Sequence, residues 1–356
     1  MDNYSFQIAQ LIQENGTAVT NQGLFNGNVG RCIFFYHLAK DTNNLEYERI
    51  ADDLLNQVFE NISASAYLDF EDGLTGIGWG IEYLLQNKFA EGETDEILKE
   101  IDDRVFKSLN EENPISFELT NGLTGHLFYL ISRLKKPFNP NSMSQRINRE
   151  LIILTINKLD VMVTAQFSSI IKEQYFDLFW RFPVMFYGLV QAFELNIYNE
   201  KIRCMINQWL MYLEAYIPSI HINRLYLAMT LSQVIAVLPN KRLEKQIQIL
   251  LYAIDFEILK SEVDQNAFNI RYGWPGFVWI MRKALLILPV TYPNYKLIHS
   301  VFLEIMLKYK STLDNIPENF VTKLSKLGLS EGLSGIGMME ILERGILLEE
   351  CMLKPI

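Results

Sequence analysis

The chain has 356 residues, 49% of them hydrophobic and 21% charged, with a formal net charge of −10. That acidic balance argues against nucleic acid as the main partner, and no Lys/Arg run longer than Lys135-Lys136 interrupts it. Three scattered cysteines (Cys32, Cys204, Cys351) and an N-terminus without basic leader or apolar run predict reduced thiols in a cytoplasmic protein. No apolar stretch reaches the roughly 18–20 residues that a membrane span needs.

Taken in chain order, hydrophobic periodicity predicts helices in pairs, an amphipathic one followed by one apolar on most faces. The first pair is 3–14 and 29–40, with Gly27-Asn28-Val29-Gly30 at the junction. The second is 44–60 and 76–87, through Gly73-Leu74-Thr75-Gly76. The third is 93–109 and 124–134, through Gly122-Leu123-Thr124-Gly125, with Ile97, Leu98, Ile101, Val105, Phe106 and Leu109 on one stripe. The fourth (141–159, 183–195) and fifth (199–214, 223–237) lack the glycines. Trp180-Arg181-Phe182-Pro183 and residues 221–224 stand there, and the alignment of these two repeats is open by several residues. The sixth is 240–258 and 275–288, through Gly273-Trp274-Pro275-Gly276, and the seventh 292–312 and 334–345, through Gly332-Leu333-Ser334-Gly335.

The first glycine pairs recur at steps of 46 and 49 residues and the last at 59, while the gap of 151 residues after Gly122 holds the two degenerate repeats. An apolar inner set shielded by an amphipathic outer set predicts an all-α fold, an α/α toroid of about seven helix pairs. No linker divides the chain, so residues 1–356 are expected to form a single domain. The glycines are expected to supply positive φ or close backbone approach where the turns converge. Free N–H groups at the starts of the inner helices would then point toward the middle. Residues just before the glycines would ring the mouth of the toroid.

The phrases Asp72-Gly73-Leu74-Thr75-Gly76-Ile77-Gly78-Trp79, Tyr272-Gly273-Trp274-Pro275-Gly276 and Glu331-Gly332-Leu333-Ser334-Gly335-Ile336 resemble the LanC-like family, the lanthionine synthetase cyclases and their relatives. The resemblance implies an α/α toroid with a central zinc held by two cysteines and a histidine. That metal would lower the pKa of a substrate thiol, so that its thiolate adds to a dehydroamino acid in a peptide. The family's sixth-repeat phrase Trp-Cys-Tyr-Gly-x-Pro-Gly reads here Ile270-Arg271-Tyr272-Gly273-Trp274-Pro275-Gly276, so Arg271 stands where a zinc cysteine is implied. The seventh-repeat Cys-His-Gly reads Ser330-Glu331-Gly332. Arginine cannot ligate a metal and serine is a poor zinc ligand, so no zinc or other cofactor is expected. The family's acid before the third glycine pair falls at Glu118, the middle-repeat histidine has no match, and the arginine before the sixth-repeat cysteine reads Ala267.

The expected central-cavity residues are therefore Asp72, Glu118, Asn121, Arg271, Tyr272, Trp274, Ser330 and Glu331. Arg271 and Glu331 are expected to pair in place of the metal, and Trp274 to face a groove. Asp72, Glu118 and Glu331 read equally as helix N-terminal carboxylates or as an acid–base set. His126 reads as a hydrogen-bonded helix residue. The expectation is a LanC-like protein of a bacterial peptide-modification pathway, without zinc-dependent cyclase activity, that binds a peptide substrate or a partner modification enzyme. The alternative is a metal-independent hydrolase or lyase using the toroid's mouth.

Overall fold

The computed structural model describes residues 4–16, 20–62, 67–111, 115–135, 142–172, 175–262, 268–314 and 327–343. Ala267, Cys351 and the end of the last predicted helix lie outside them. The chain divides into two compact units, Met1–Leu159 with Glu318–Ile356, and Asp160–Pro317. Among the described residues the regular elements are helices, with one isolated bridge between Ser116 and Gly122.

The first unit holds α1 (Tyr4–Asn15), α2 (Asn28–Thr42), α3 (Leu45–Asn61), α4 (Leu74–Gln86), α5 (Thr94–Ile97), α6 (Lys99–Asn110), α7 (Leu123–Leu134), the start of α8 (Met143–Ile170), and α16 (Leu333–Glu343). The inner helices are covered almost all round: every residue from Asn28 to Leu38 of α2 is buried. The outer α3 buries only Tyr47, Ala51, Leu54 and Val58, a spacing of three and four that turns one stripe inward. The Asn44 side chain accepts from the Glu46 N–H and starts that helix. α2 packs on α3, α4 on α2 and α7, and α16 on both α1 and α2, so the last inner helix completes the unit that the first begins.

One polar knot in this unit was not read from the sequence. Arg133, at the end of α7, has a side chain only 1% exposed and reaches three carboxylates. It pairs with the fully buried Glu82 of α4, with Asp95 at 2.9 Å and with Asp102 at 2.8 Å. Thr94 accepts from the same guanidinium at 3.0 Å, and Tyr129 donates to Asp102 at 2.6 Å. The knot ties α4, α5, α6 and α7 together, and its charges tolerate burial because each has a partner.

The second unit holds the end of α8, α9 (Arg181–Glu194), α10 (Asn199–Leu213), α11 (His221–Val237), α12 (Lys241–Tyr252), α13 (Phe256–Ser261), α14 (Trp274–Ile287) and α15 (Tyr295–Asp314). The inner helices α9, α11 and α14 pack side by side, with α10 on α9, α12 on α11 and α15 on α14. Asn240 and Asp255 cap α12 and α13, each accepting from two backbone N–H groups.

Several boundaries differ from expectation for local reasons. The predicted helix 93–109 breaks at Leu98, whose ψ of 5° is non-helical. The predicted helix 240–258 ends at Tyr252 and restarts after Asp255. The predicted helix 141–159 runs on to Ile170, past a non-helical residue at Gln166. This gives α8, among the described residues, the length and apolar composition of a membrane span. Ile152, Ile156, Leu159 and Val163 on it are nonetheless fully buried within the protein.

Candidate functional site

The Gly-x-x-Gly turns are built by one repeated set of bonds. The first helical N–H reaches seven residues back: Asn28 to the Asn21 carbonyl at 3.0 Å, Leu74 to Tyr67 at 2.8 Å, Leu123 to Ser116 at 2.7 Å. The second glycine repeats the step, Gly125 to Glu118 at 3.4 Å and Gly335 to Gly328 at 3.3 Å. The hydroxyl between the glycines donates seven residues back as well, Thr75 to Leu68 at 2.8 Å and Ser334 to Leu327 at 2.5 Å. In repeats one, two, three and seven the expectation of free helix N–H groups is therefore corrected, because the turn's own carbonyls take them up.

Of the two reasons expected for glycine, positive φ and close approach, the structure shows the second. Gly27, Gly73, Gly122 and Gly273 are helix N-caps with φ between −105° and −144°, open to any residue. Close approach is what requires glycine. A Cβ on Gly76 would overlap the Phe70 carbonyl oxygen, and one on Gly276 the Ile270 oxygen, six residues back in both cases.

In the first unit these turns are stitched to one another. Ser330 N–H donates to the Phe25 carbonyl at 3.1 Å, Phe25 N–H to Glu71 at 2.8 Å, and Phe70 N–H to Thr120 at 2.7 Å. The ladder brings Asp72 against Asn26, the residue before Gly27. One Asp72 oxygen accepts from the Asn26 backbone N–H and the other from its side-chain amide, both at 2.9 Å. Ser330, 1% exposed, donates its hydroxyl to the Asn26 amide oxygen at 3.3 Å. Ser330 and Asp72 thus meet through Asn26, which the sequence reading did not single out.

In the second unit the key partner was also missed. Arg271 forms a two-pronged pair with Asp177, Nε to Oδ1 and Nη2 to Oδ2 at 3.2 Å each. Its guanidinium carbon lies 5.0 Å from the Phe179 ring centre and 4.7 Å from that of Tyr272. Tyr175 meets Tyr272 edge-on at 5.8 Å. The Leu178 N–H donates to the Arg271 carbonyl at 2.8 Å, so the turns of repeats four and six join directly. Repeat five has no Gly-x-x-Gly turn. α11 starts at His221, whose N–H, with that of Ile222, is taken by the Glu262 carboxylate at 2.7 and 3.0 Å.

The remaining expected residues are less gathered. Glu118 is part-buried; its N–H donates to the Ser116 hydroxyl at 3.1 Å. Asn121 is exposed. Trp274 is 4% exposed with its indole N–H buried and unpartnered, so it sits in the core rather than facing a groove. His126 bonds the Gly122 carbonyl at 2.9 Å, as read from the sequence. Burial lowers its pKa despite that bond. Signals for Asp177 existed: Phe117-Glu118-Leu119 recurs as Phe176-Asp177-Leu178, but alignment on glycines hides it.

The positions at which the family resemblance implies zinc do not fit that ion. A guanidinium has no lone pair to give, and Arg271 is held by Asp177. Ser330 spends its hydroxyl on Asn26, leaving Glu331 as the lone carboxylate of the three. Among the described residues no group of three His, Cys, Asp or Glu side chains is placed to hold a metal.

A family model described as lanthionine synthetase C-like protein matches residues 18–176, ending as the fourth repeat loses its glycine phrase. No curated protein matches the sequence. Among solved structures, nisin cyclase matches over 97% of this chain and 94% of its own, with a TM-score of 0.66 at 14% identity. The resemblance read from the repeat phrases is thereby shown, and the fold class is the α/α toroid of nisin cyclase.

Proposed function

We propose that this LanC-like chain serves a lanthipeptide-type peptide-modification pathway by binding a peptide or a partner modification enzyme, without zinc-dependent cyclisation. The observation that carries this reading is the Arg271–Asp177 pair. Where the resemblance implies a metal-binding thiolate stands a cation, and an acid from another repeat has been supplied to neutralise it. Recruiting zinc there would require breaking a two-pronged pair and placing one cation beside another.

Binding of a peptide is supported by what surrounds that pair. Tyr175, 58% exposed, and the part-exposed Tyr272 offer aromatic surface beside a part-exposed guanidinium and carboxylate. Such a mixture suits a peptide's apolar side chains and charged groups together. The metal-independent hydrolase gains less support, because both oxygens of Asp72 are already spent on Asn26.

The test is calorimetry of the purified protein with the small precursor peptide encoded beside its gene, with parallel metal analysis. Saturable binding that survives a chelator is the expected result. Stoichiometric zinc in the purified protein, or no heat of binding at high micromolar peptide, would overturn the reading.

A further inference from the structure

The start of α2 carries a cation that the candidate site does not use. Arg31 is 4% exposed. Its Nη1 donates to the Asn28 amide oxygen at 2.7 Å and to the Gly16 carbonyl at 3.2 Å, which ties the end of α1 to the start of α2. The Asn28 amide nitrogen donates onward to the side-chain oxygens of Gln22 and Gln57 at 2.9 and 3.4 Å. Gln22 is part-exposed and Gln57 exposed, so this polar cluster runs from the buried guanidinium to the surface. Its members are neutral amides, and among the described residues no acid pairs with Arg31.

The other edge of the guanidinium, Nε with Nη2, has no acceptor among the described residues. Nε is buried there, while Nη2 is not enclosed and is the end that meets solvent. Gly16 leaves that end room: a Cβ on it would stand 2.0 Å from Nη2. Elsewhere in this chain the same edge grips a carboxylate. Arg271 holds Asp177 with it, Arg133 holds Asp102 and Arg242 holds Glu214. Its two N–H groups match the two oxygens of an acid. A buried arginine is ordinarily accompanied by an anion, because desolvating a guanidinium alone is costly.

We propose that the Nε–Nη2 edge of Arg31 is a binding site for a carboxylate from outside the chain. One oxygen accepts from Nη2 at the open end and the other from Nε behind it, the arrangement that Asp177 makes with Arg271. A monoanion is the match. One guanidinium neutralises one charge, and the first two N–H groups of α2 are already taken by the Asn21 and Gln22 carbonyls. A phosphate dianion would therefore keep a charge without a partner. The carboxylate belongs either to a small free acid or to an acidic side chain of a peptide, and two probes separate these sources.

The experiment follows the arginine Nε–H signals of the full chain, labelled with nitrogen-15, by NMR at neutral pH. Acetate and N-acetylglutamate amide are titrated separately, against chloride at equal ionic strength. Arg31→Lys assigns the signal by deleting it, and the exposed Arg203 is the internal reference. A saturable shift of the Arg31 signal in acetate, absent in chloride and at Arg203, is the expected result. Saturation by the capped glutamate as well assigns the site to a peptide side chain; saturation by acetate alone assigns it to a small free acid. Gly16→Ala should weaken either probe by at least about fivefold, because its Cβ crowds Nη2. It also marks the Arg31 signal should Arg31→Lys fail to fold. No shift at high millimolar acetate, an equal shift in chloride, or tighter saturation by inorganic phosphate would overturn the proposal. Neither precursor peptide nor metal is used, so the outcome is independent of the calorimetry above.

Discussion

Arg271 and Asp177 show how far a single position can be read. Arg271 was legible because it precedes Gly273, but its partner lies 94 residues earlier in a repeat whose glycines are gone. Asp177→Asn should cost about 1–2 kcal/mol, since it strips a part-buried guanidinium of its charged acceptor. Urea denaturation would show this as a lower midpoint at unchanged slope; an unmoved midpoint would mean the pair is merely solvated. His37 supports a pH prediction. Burial first, and the Lys40 charge second, lower its pKa to about 3, while its Nε2 is bonded to the Tyr83 hydroxyl at 2.7 Å. The unfolded chain, with an ordinary histidine near 6.5, therefore takes up a proton before the native state does. Stability from this residue is complete above about pH 6.5 and is lost progressively as pH falls toward 3. The window from pH 6.5 to 5, above most carboxylates, should show a falling urea midpoint whose slope is shallower in His37→Phe, the remainder coming from His126 and His221, whose pKa values are lowered as well.

At the scale of elements, the inner helices depend on how their first turns are held. Gly76→Ala drives a Cβ into the Phe70 carbonyl, which is itself fixed by the bonds joining neighbouring turns. A loss of about 2–4 kcal/mol is expected, well beyond the propensity gain of alanine inside a helix. Thermal unfolding decides it: a melting temperature equal to or above wild type would refute the close-approach account. The glycine pattern was legible; its reason was not, because sequence cannot distinguish a need for positive φ from a need for space. The Arg133 knot was invisible for a related reason, since Glu82, Asp95 and Asp102 read singly as ordinary helix acids. Arg133→Met leaves Glu82 buried without its cation and should cost about 3–5 kcal/mol. Repairing Glu82 to Gln in the same chain should recover part of that loss, measured as a double-mutant cycle.

For the whole molecule, the last inner helix belongs with the first. α16 packs on α1 and α2, and Ser330 closes onto Phe25 and Asn26. Removing residues 327–356 should therefore expose the faces of α1 and α2 and abolish cooperative unfolding of the first unit, followed by circular dichroism and hydrogen exchange. Retained protection in α2 would show that unit to be complete without α16. The sequence by itself determined the helix pairs, their order, which member of each pair is buried, and the family they resemble. The pairs, their order and their burial follow from local periodicity, and the resemblance rests on the glycine phrases themselves. Only the tertiary structure decided that Asp177 holds Arg271, that Asn26 joins Asp72 to Ser330, and that the turns of repeats four and six bond directly. Those pairings depend on which turns lie side by side, and nothing within one repeat encodes its neighbour's side chains.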